Sequence, residues 1–535
     1  MSALLEVEGL TVRSADSTIV DDVSFALAPD SRTGLIGESG SGKTVTALAM
    51  LGLLPDGLTA SGSVRMAGEE ILGESESRLA VRRGNSLSMI FQEPMTALNP
   101  VMRIGSQIAE PLRIHAGLAK SDALDVAVGL LDDVGVDDPE RRAKAYPHEL
   151  SGGQRQRAMI AMALACGPDL VIADEPTTAL DVTVQAKVLN VLRKQVVANN
   201  AALMLITHDL PVIASVAETV IVIHDGVIVE TGRTDAVFQA PKEEYTRRLV
   251  AAVPPLSQSI EVSPRLTEAV EGSSIVEVKE VTKRYKLRRR RLTESAPHIL
   301  AVDDVTLDVK QGETLGIVGE SGSGKSTLAR MMMGLEMPTS GVVTLDGVAL
   351  TSKTAVAQVR GVAQMVFQDP NGSLDPRMLI KDVVAEPLRS LKIDGDHNRR
   401  VGELLEAVSL PADSMQRYPH EFSGGQRQRI AIARALAPSP RLLIADEPVS
   451  ALDMSVRTIT LELLELLKRQ FDFTMVFISH DLSVIHEIAD RVVVLEQGRT
   501  VEMGQVDEVF SSPRQIYTRT LLDSIPRLDG TLLGS

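Results

Sequence analysis

Two glycine-rich segments carry the residues that this sequence offers for phosphate chemistry. Both fit the pattern G-x-x-x-x-G-K-[ST], and each lies between an apolar stretch and a helical stretch. Glycines let backbone N–H groups approach phosphate oxygens closely, and a helix N-terminus favours their negative charge. We therefore predict two phosphate-binding loops, formed by Gly37, Glu38, Ser39, Gly40, Ser41, Gly42, Lys43 and Thr44 and by Gly319, Glu320, Ser321, Gly322, Ser323, Gly324, Lys325 and Ser326.

The last two residues of each loop suit a nucleotide that carries Mg²⁺. We expect Lys43 and Lys325 to reach the β- and γ-phosphates, and the hydroxyls of Thr44 and Ser326 to bind the metal ion. A chance glycine-rich turn would not explain why the lysine, the hydroxyl and the flanking elements occur twice.

A pair of carboxylates follows a second apolar stretch in each half of the chain. Asp174 and Asp446 end predicted strands, which suits aspartates associated with Mg²⁺, and Glu175 and Glu447 come directly after them. A glutamate at this place could polarise an attacking water as a general base. Together with the loops, these residues predict hydrolysis of a nucleotide.

An internal repeat determines the architecture. GESGSGK recurs with an offset of 282 residues, and four other motifs recur with an offset of 272: SGGQRQR at 151–157 and 423–429, ADEP at 173–176 and 445–448, His-Asp at 208–209 and 480–481, and Tyr-Thr-Arg at 245–247 and 517–519. Such a long period indicates a duplicated domain rather than a solenoid.

Each copy is predicted to be an α/β domain. Flat apolar runs such as Leu170–Ala173 and Leu442–Ala445 are typical of strands in a parallel sheet that helices cover. A mostly helical stretch in each copy, Ile108–Gly135 and Ile380–Leu410, predicts an inserted helical subdomain. We place the first domain with its C-terminal extension at residues 1–250, a Pro/Ser-rich linker at 251–274, and the second domain with its extension at 275–535.

Composition excludes several classes of protein. The chain has 535 residues, of which 44% are hydrophobic, and its net charge of −16 argues against a general nucleic-acid binder. The single cysteine, Cys166, cannot form an internal disulfide or an iron–sulfur cluster, so we expect the cytosol as its compartment. We expect neither a signal peptide nor a membrane helix, since no apolar run approaches about 18 residues.

At SGGQ the sequence resembles the ATP-binding-cassette (ABC) ATPases. The resemblance implies two cassettes in tandem, each a P-loop NTPase with a RecA-like core and a helical subdomain. In this family two cassettes close head to tail, and the signature loop of one covers the ATP held by the other. It thus implies two composite sites, one joining Lys43 to Ser423, Gly424, Gly425 and Gln426, the other joining Lys325 to Ser151, Gly152, Gly153 and Gln154.

The same resemblance implies roles for further residues around each nucleotide. The matching positions are Gln92 and Gln368 in the Q-loop at Mg²⁺ or water, Asp181 and Asp453 in the D-loop, and the switch histidines His208 and His480 at the γ-phosphate. Tyr285 stands where the family places an adenine-stacking aromatic, and residues 12–14 of the first half include no aromatic. We therefore expect the first site to hold ATP less tightly.

A narrower likeness concerns the peptide/nickel importer ATPases. Phe91–Pro100 and Phe367–Pro376 look like their Q-loops, and Glu244–Pro254 and Ile516–Pro526 resemble their C-terminal extension. The likeness implies a fused pair of D-type and F-type peptide permease ATPases, peripheral at the cytoplasmic face of the membrane. It implies ATP and Mg²⁺ as cofactors, no iron–sulfur cluster, two separate permease subunits, an extracytoplasmic solute-binding protein reached through them, and no nucleic acid.

Two other functions are alternatives to peptide import for a chain with tandem cassettes. A soluble tandem ABC protein acting on ribosomes or nucleic acid would carry a long charged linker, which this sequence lacks. A tandem sugar-importer ATPase is disfavoured by the Q-loops and the extensions. The basic segment Lys283–Arg291 fits either a solvated loop or a contact with anionic lipid or the permease.

Overall fold

The computed structural model describes residues 3–177, 180–253, 273–286, 298–450, 452 and 454–525. The chain divides into two compact units, one built on Met1–Pro255 and the other on Leu256–Asp523. Most of the predicted linker, Asp453 and residues 287–291 of the basic segment lie outside the described residues. The exact domain boundaries therefore stay a prediction.

The first unit alternates strands and helices along the chain. Its elements are β1 (Leu5–Arg13), β2 (Thr18–Leu27), β3 (Arg32–Ile36), α1 (Lys43–Leu51), β4 (Thr59–Met66), β5 (Glu69–Glu70), α2 (Glu76–Arg82), β6 (Leu87–Ile90), α3 (Pro94–Ala97), α4 (Ile104–His115), α5 (Lys120–Asp133), α6 (Pro139–Ala143), α7 (Gly152–Leu164), β7 (Leu170–Asp174), α8 (Val182–Ala198), β8 (Ala202–Ile206), α9 (Leu210–Val216), β9 (Thr219–His224), β10 (Val227–Arg233), α10 (Thr234–Gln239) and α11 (Glu244–Ala251).

The second unit repeats this order. Its elements are β11 (Ser274–Lys286), β12 (His298–Lys310), β13 (Thr314–Val318), α12 (Lys325–Met332), β14 (Ser340–Leu345), β15 (Val348–Ala349), α13 (Lys353–Val359), β16 (Ala363–Val366), α14 (Pro370–Ser373), α15 (Ile380–Ser390), α16 (His397–Ala407), α17 (Gly424–Leu436), β17 (Leu442–Asp446), α18 (Met454–Phe471), β18 (Thr474–Ile478), α19 (Leu482–Ile488), β19 (Arg491–Glu496), β20 (Arg499–Gln505), α20 (Val506–Ser511) and α21 (Ile516–Asp523).

A mainly parallel sheet forms the centre of each unit. Its strand order is β10-β9-β3-β8-β7-β6 in the first unit and β20-β19-β13-β18-β17-β16 in the second, and only the β10 and β20 edges are antiparallel. Every residue of β7 and β17 is buried, which explains why these strands are apolar on both faces. A smaller antiparallel sheet, β2-β1-β4-β5 or β12-β11-β14-β15, completes each unit. The predicted α/β class is confirmed.

The strand order gathers the predicted chemistry at one edge of the sheet. The first phosphate-binding loop follows β3, His208 follows β8, Asp174 ends β7 and Gln92 follows β6. These four strands are neighbours in the order β3-β8-β7-β6 and run parallel. Their carboxyl ends therefore meet at the same edge, where ligands bind in open α/β sheets.

The predicted helical stretches contain α5 in the first unit and α15 and α16 in the second, whereas α4 begins at Ile104, four residues before the first predicted stretch. Helix α5 buries Ala123, Ala127 and Leu131, which are spaced four residues apart on one face. This apolar stripe packs in one cluster with residues of α4 and α7, so the helical subdomain has its own part of the core. In the described part of the chain, we find no helix that is long and apolar enough to cross a bilayer.

Candidate nucleotide sites

The first phosphate-binding loop joins β3 to α1, and glycines set its shape. Helix α1 begins at Lys43, and Gly42 before it has a φ of 96°, a left-handed conformation that favours glycine. A Cβ atom on Gly37 would lie 2.2 Å from the carbonyl oxygen of Ile223, so a larger residue would displace the neighbouring strand. The backbone can therefore turn tightly into the helix N-terminus, as phosphate binding requires.

The lysine side chain lies inside each loop. Lys43 is buried, and its Nζ donates to the carbonyl oxygens of Gly37 (2.8 Å) and Glu38 (2.7 Å). In the second unit the Nζ of Lys325 donates in the same way to Gly319 (2.7 Å) and Glu320 (3.0 Å). Each loop thus holds a cation at the centre of its own backbone.

Each loop also contains features that fit a phosphate ligand. The hydroxyls of Ser41 and Ser323 are buried, and neither has a hydrogen-bond partner among the described residues. Buried polar atoms normally have a partner, so these hydroxyls indicate a ligand. A Cβ atom on Gly40 or Gly322 would meet nothing within 4 Å, which shows that the loop is open on that side.

The hydroxyl after each lysine pairs with the aspartate that ends a strand. Thr44 Oγ1 donates to Asp174 Oδ1 over 3.2 Å, and Ser326 Oγ donates to Asp446 Oδ1 over 3.1 Å. Burial raises the pKa of Asp174 to about 6 and also raises the pKa of Asp446. These hard oxygen donors fit Mg²⁺, and a divalent cation would stabilise the charged form of both aspartates.

In the first unit Glu175 lies between Gln92 and His208. Gln92 Nε2 donates to one carboxylate oxygen over 2.8 Å, and His208 Nδ1 lies 2.9 Å from the other oxygen. Burial alone would lower the pKa of His208, but Glu175 raises it overall. Three side chains that are far apart in sequence thus form one hydrogen-bonded group.

The second unit repeats this group around Glu447. Gln368 Nε2 donates to Glu447 over 2.8 Å, and His480 Nδ1 lies 3.2 Å from the other oxygen. Burial alone would raise the pKa of Glu447, but the hydrogen bond and charge of His480 lower it overall. Glu447 in turn raises the pKa of His480, against the effect of burial. A carboxylate that stays charged suits a base.

Both glutamates have an unusual backbone. Their φ angles are 45° for Glu175 and 49° for Glu447, in the left-handed region that residues other than glycine rarely adopt. Their N–H groups donate to the carbonyl oxygens of Ile206 (2.8 Å) and Ile478 (2.9 Å) on the adjacent strands. Such strain, about 1–3 kcal/mol per residue, clusters at functional sites, and here it occurs at the same place in both units.

The predicted signature loops begin α7 and α17. The Ser151 hydroxyl accepts from the Gln154 N–H (3.3 Å), and the Gln154 side chain accepts from the Ser151 N–H (3.2 Å), forming a capping box. Ser423 and Gln426 form the same box. A Cβ on Gly153 would lie 2.5 Å from Val184, so glycine lets α7 approach α8 closely. In the second unit, Gly424 and Gly425 are the first two residues of α17, directly after Ser423.

The remaining predicted site residues are Asp181, Asp453 and Tyr285. Asp181 caps α8, accepting from the Val184 N–H (3.0 Å), and Asp453 lies outside the described residues. The Tyr285 hydroxyl bonds to Glu336, and its ring lies 5.3 Å from the Nζ of Lys283. The nucleotide contacts predicted for all three stay predictions.

One contact at each loop was not predicted from the sequence. The N–H groups of Glu38 and Glu320 donate to the hydroxyls of Tyr245 and Tyr517, which belong to the C-terminal extensions. The repeated Tyr-Thr-Arg was visible in the sequence, but nothing in it indicated which segment the tyrosine contacts. The fold and these groups together define a pair of P-loop nucleotide-hydrolysing domains.

Comparison with known proteins identifies the family. Residues 20–178 and 302–450 match the family described as ABC transporter, and residues 229–295 and 501–533 match the oligopeptide/dipeptide transporter C-terminal region. The chain belongs to the ABC transporter family, and it is an ATPase with two cassettes. The family resemblance, the tandem arrangement and the extensions predicted from the sequence are confirmed.

Curated relatives match over almost the whole chain. The chain is 44% identical to the peptidoglycan transport ATP-binding protein YejF of Agrobacterium fabrum, covering 97% of this chain and 96% of that protein. It is 39% identical to the oligopeptide transport ATP-binding protein OppD of Mycobacterium tuberculosis, covering 100% of both. It is 42% identical to the glutathione import ATP-binding protein GsiA of Escherichia coli, covering 95% of this chain and 86% of that protein.

Proposed function

We propose that this chain is the ATP-hydrolysing subunit of an importer for di- or oligopeptides or related small solutes. The observation that carries the proposal is that two hydrolytic groups, each with glutamine, glutamate and histidine, occur beside two oligopeptide/dipeptide transporter C-terminal regions. The relatives named above include oligopeptide transport and glutathione import proteins, which supports a peptide-like solute.

In the proposed reaction, the P-loop binds the phosphates of ATP and Lys43 neutralises their charge. Mg²⁺, held by Thr44, Asp174 and Gln92, would offset the charge that develops on the phosphates. Glu175 accepts a proton from the water that attacks the γ-phosphorus, while the bond to the β-phosphate oxygen breaks.

His208 Nδ1 contacts the second carboxylate oxygen of Glu175 and so holds this carboxylate in place. The second unit provides Lys325, Ser326, Asp446, Gln368, Glu447 and His480 for the same roles. We further propose that each signature loop completes the site of the other cassette, Ser423–Gln426 at Lys43 and Ser151–Gln154 at Lys325.

The proposed partners are two membrane permease subunits at the cytoplasmic face, with an extracytoplasmic solute-binding protein acting through them. The Q-loop segments are the proposed docking surface. Phe91 and Met95 in the first unit and Phe367 in the second expose 37%, 47% and 43% of their surface. Exposed large apolar side chains next to a hydrolytic group suit a partner that senses the nucleotide.

The test combines affinity purification from membranes with uptake assays. The tagged chain is purified from detergent-solubilised membranes, and uptake of labelled di- and tripeptides is measured in a deletion strain that expresses wild-type chain or the Glu175→Gln, Glu447→Gln double variant. We expect permease subunits in the purified material, and uptake with the wild-type chain only. Recovery of ribosomes without permeases, with peptide uptake unaffected by the deletion, would contradict the proposal.

A further inference from the structure

A tyrosine of each C-terminal extension contacts the P-loop of its own unit. The N–H of Glu38 donates to the hydroxyl of Tyr245 over 2.9 Å, and the N–H of Glu320 donates to the hydroxyl of Tyr517 over 3.2 Å. Glu38 and Glu320 are the second residues of their loops, next to the glycines whose carbonyl oxygens bind the P-loop lysines. The tyrosine hydroxyls therefore contact the part of each loop that binds the ammonium group of Lys43 or Lys325.

The tyrosine of the first unit is fixed on its other sides. Tyr245 is only 7% exposed, and its ring stacks on His224 with the centroids 3.9 Å apart. His224 ends β9, the strand beside β3, and the P-loop follows β3. The ring position is thus determined by the same sheet that positions the loop.

A buried glutamate holds the start of helix α11, on which Tyr245 lies. Glu230 of β10 accepts from the N–H groups of Lys242 (3.0 Å) and Glu243 (3.2 Å), just before the helix. Burial alone would raise the pKa of Glu230, but these N–H donors help to lower it. A charged acceptor at this place stabilises the N-terminus of the helix and fixes the direction of its first turn.

The second unit builds the same connection with its own residues. Glu502 of β20 accepts from the N–H groups of Arg514 (2.8 Å) and Gln515 (3.2 Å), just before α21, which carries Tyr517. The tyrosines are 272 residues apart, whereas Glu38 and Glu320 are 282 residues apart. The contact is therefore kept although the intervening chain has changed in length.

We propose that Tyr245 and Tyr517 are positioning residues for ATP binding, and that each couples the C-terminal extension to the P-loop of its own cassette. Removing the hydroxyl leaves a loop N–H without this acceptor and lets the loop shift away from the geometry that binds phosphate. The proposal rests on ATP binding by both P-loops. It gives the extension a function at the nucleotide site.

The test uses the full chain with only one working P-loop. In a Lys325→Ala background, the dissociation constant of a fluorescent ATP analogue is measured for Tyr245→Phe, which keeps the ring and removes the hydroxyl. We expect the dissociation constant to rise about 3- to 10-fold, the typical effect of one hydrogen bond. In the transporter complex, the same variant should raise KM for ATP while kcat changes much less.

Two variants in the same background provide matched controls. Tyr517→Phe removes the equivalent hydroxyl at the inactivated site, and Lys194→Ala changes an exposed residue of helix α8. Both should leave the dissociation constant unchanged, and a thermal melt without nucleotide should show each variant folded. The mirror experiment, Tyr517→Phe in a Lys43→Ala background, should give the same rise.

Equal dissociation constants for Tyr245→Phe and its parent would overturn the positioning role. An equal rise in the dissociation constant for the Tyr517→Phe control would also overturn it. The effect would then not depend on a hydroxyl at the P-loop that binds the nucleotide. Absence of nucleotide binding by the unmodified chain is a different result, which contradicts the proposed function together with this inference.

Discussion

Replacing Glu175 and Glu447 by glutamine tests the hydrolytic group most directly. The substitution keeps the size of the side chain and an acceptor for the glutamine that lies 2.8 Å away in both units. It removes the carboxylate that we propose takes a proton from the attacking water. Loss of a general base typically lowers a rate about 10²- to 10⁴-fold, and we expect the double variant to fall in this range.

The hydrolytic groups around Glu175 and Glu447 are nearly identical, and this similarity determines the rate that we expect for each single variant. The histidine-to-glutamate distances are 2.9 and 3.2 Å, and both glutamates have the same left-handed backbone. If the two sites act independently, each single variant should keep about half of the rate. A loss well beyond half in either single variant would show that hydrolysis at one site depends on hydrolysis at the other.

The assay is steady-state phosphate release by the purified transporter complex, with ATP binding measured in parallel. Binding should be unchanged, because Lys43 and Lys325 donate hydrogen bonds to backbone carbonyl oxygens of their own P-loops, and the substitution leaves these loops intact. Glu140→Gln and Glu406→Gln, at exposed helix positions, serve as matched controls and should hydrolyse ATP at the wild-type rate. A double variant that keeps more than half of the wild-type rate would refute the base assignment.

Three further outcomes are expected. Tyr285→Ala should weaken nucleotide binding by about 1–3 kcal/mol in a Lys43→Ala background, measured by titration, because base stacking is lost. Met95→Glu together with Gly372→Glu should abolish solute uptake and leave nucleotide binding intact, because both positions are exposed on the proposed docking surface. Gly316→Ala should lower the free energy of unfolding by about 1–3 kcal/mol in denaturant, because its Cβ would lie 2.7 Å from Ile485.

Each of these changes has a control and a contrary outcome. Tyr285→Phe keeps the ring and should bind like the parent, and equal affinity for Tyr285→Ala would contradict stacking. Arg78→Glu, at an exposed position of helix α2, should not affect uptake, and normal uptake with the Met95 and Gly372 variants would argue against the docking surface. Gly361→Ala, whose Cβ would meet only an atom 3.9 Å away, should leave stability unchanged; similar losses for both glycines would contradict the packing argument.

The parts of the fold that sequence reasoning could predict depend on local patterns. The P-loops, the apolar strands before Asp174 and Asp446, and the helical stretches all have their signals within about twenty residues. Even Asp181 as a helix cap follows a local rule, because aspartate before a helix accepts from its first N–H groups.

Contacts between distant segments were accessible only from the structure. Glu38 and Tyr245 are 207 residues apart, and Gln92 and Glu175 are 83 residues apart. Their meeting depends on the strand order β3-β8-β7-β6 and on the path of the chain after β10, and neither leaves a local signal. The family resemblance supplied the roles of Gln92 and His208; it placed the tyrosines in the C-terminal extensions but gave them no role at the P-loop.

The two halves differ around a hydrolytic group that is almost the same in both. The first half has His224 stacked on Tyr245, and the second has Glu496 at the position of that histidine, with Tyr517 less buried. In the second half Tyr285 stands where the family places an adenine-stacking aromatic, and residues 12–14 of the first half include no aromatic. These differences lie at the P-loop and at the predicted adenine contact, and they leave Glu175 and Glu447 unchanged. They should therefore change the affinity of each site for ATP more than the rate of the hydrolytic step. The extension and the aromatic before the P-loop are therefore the places where a fused pair of cassettes can acquire two unequal sites without losing hydrolysis at either.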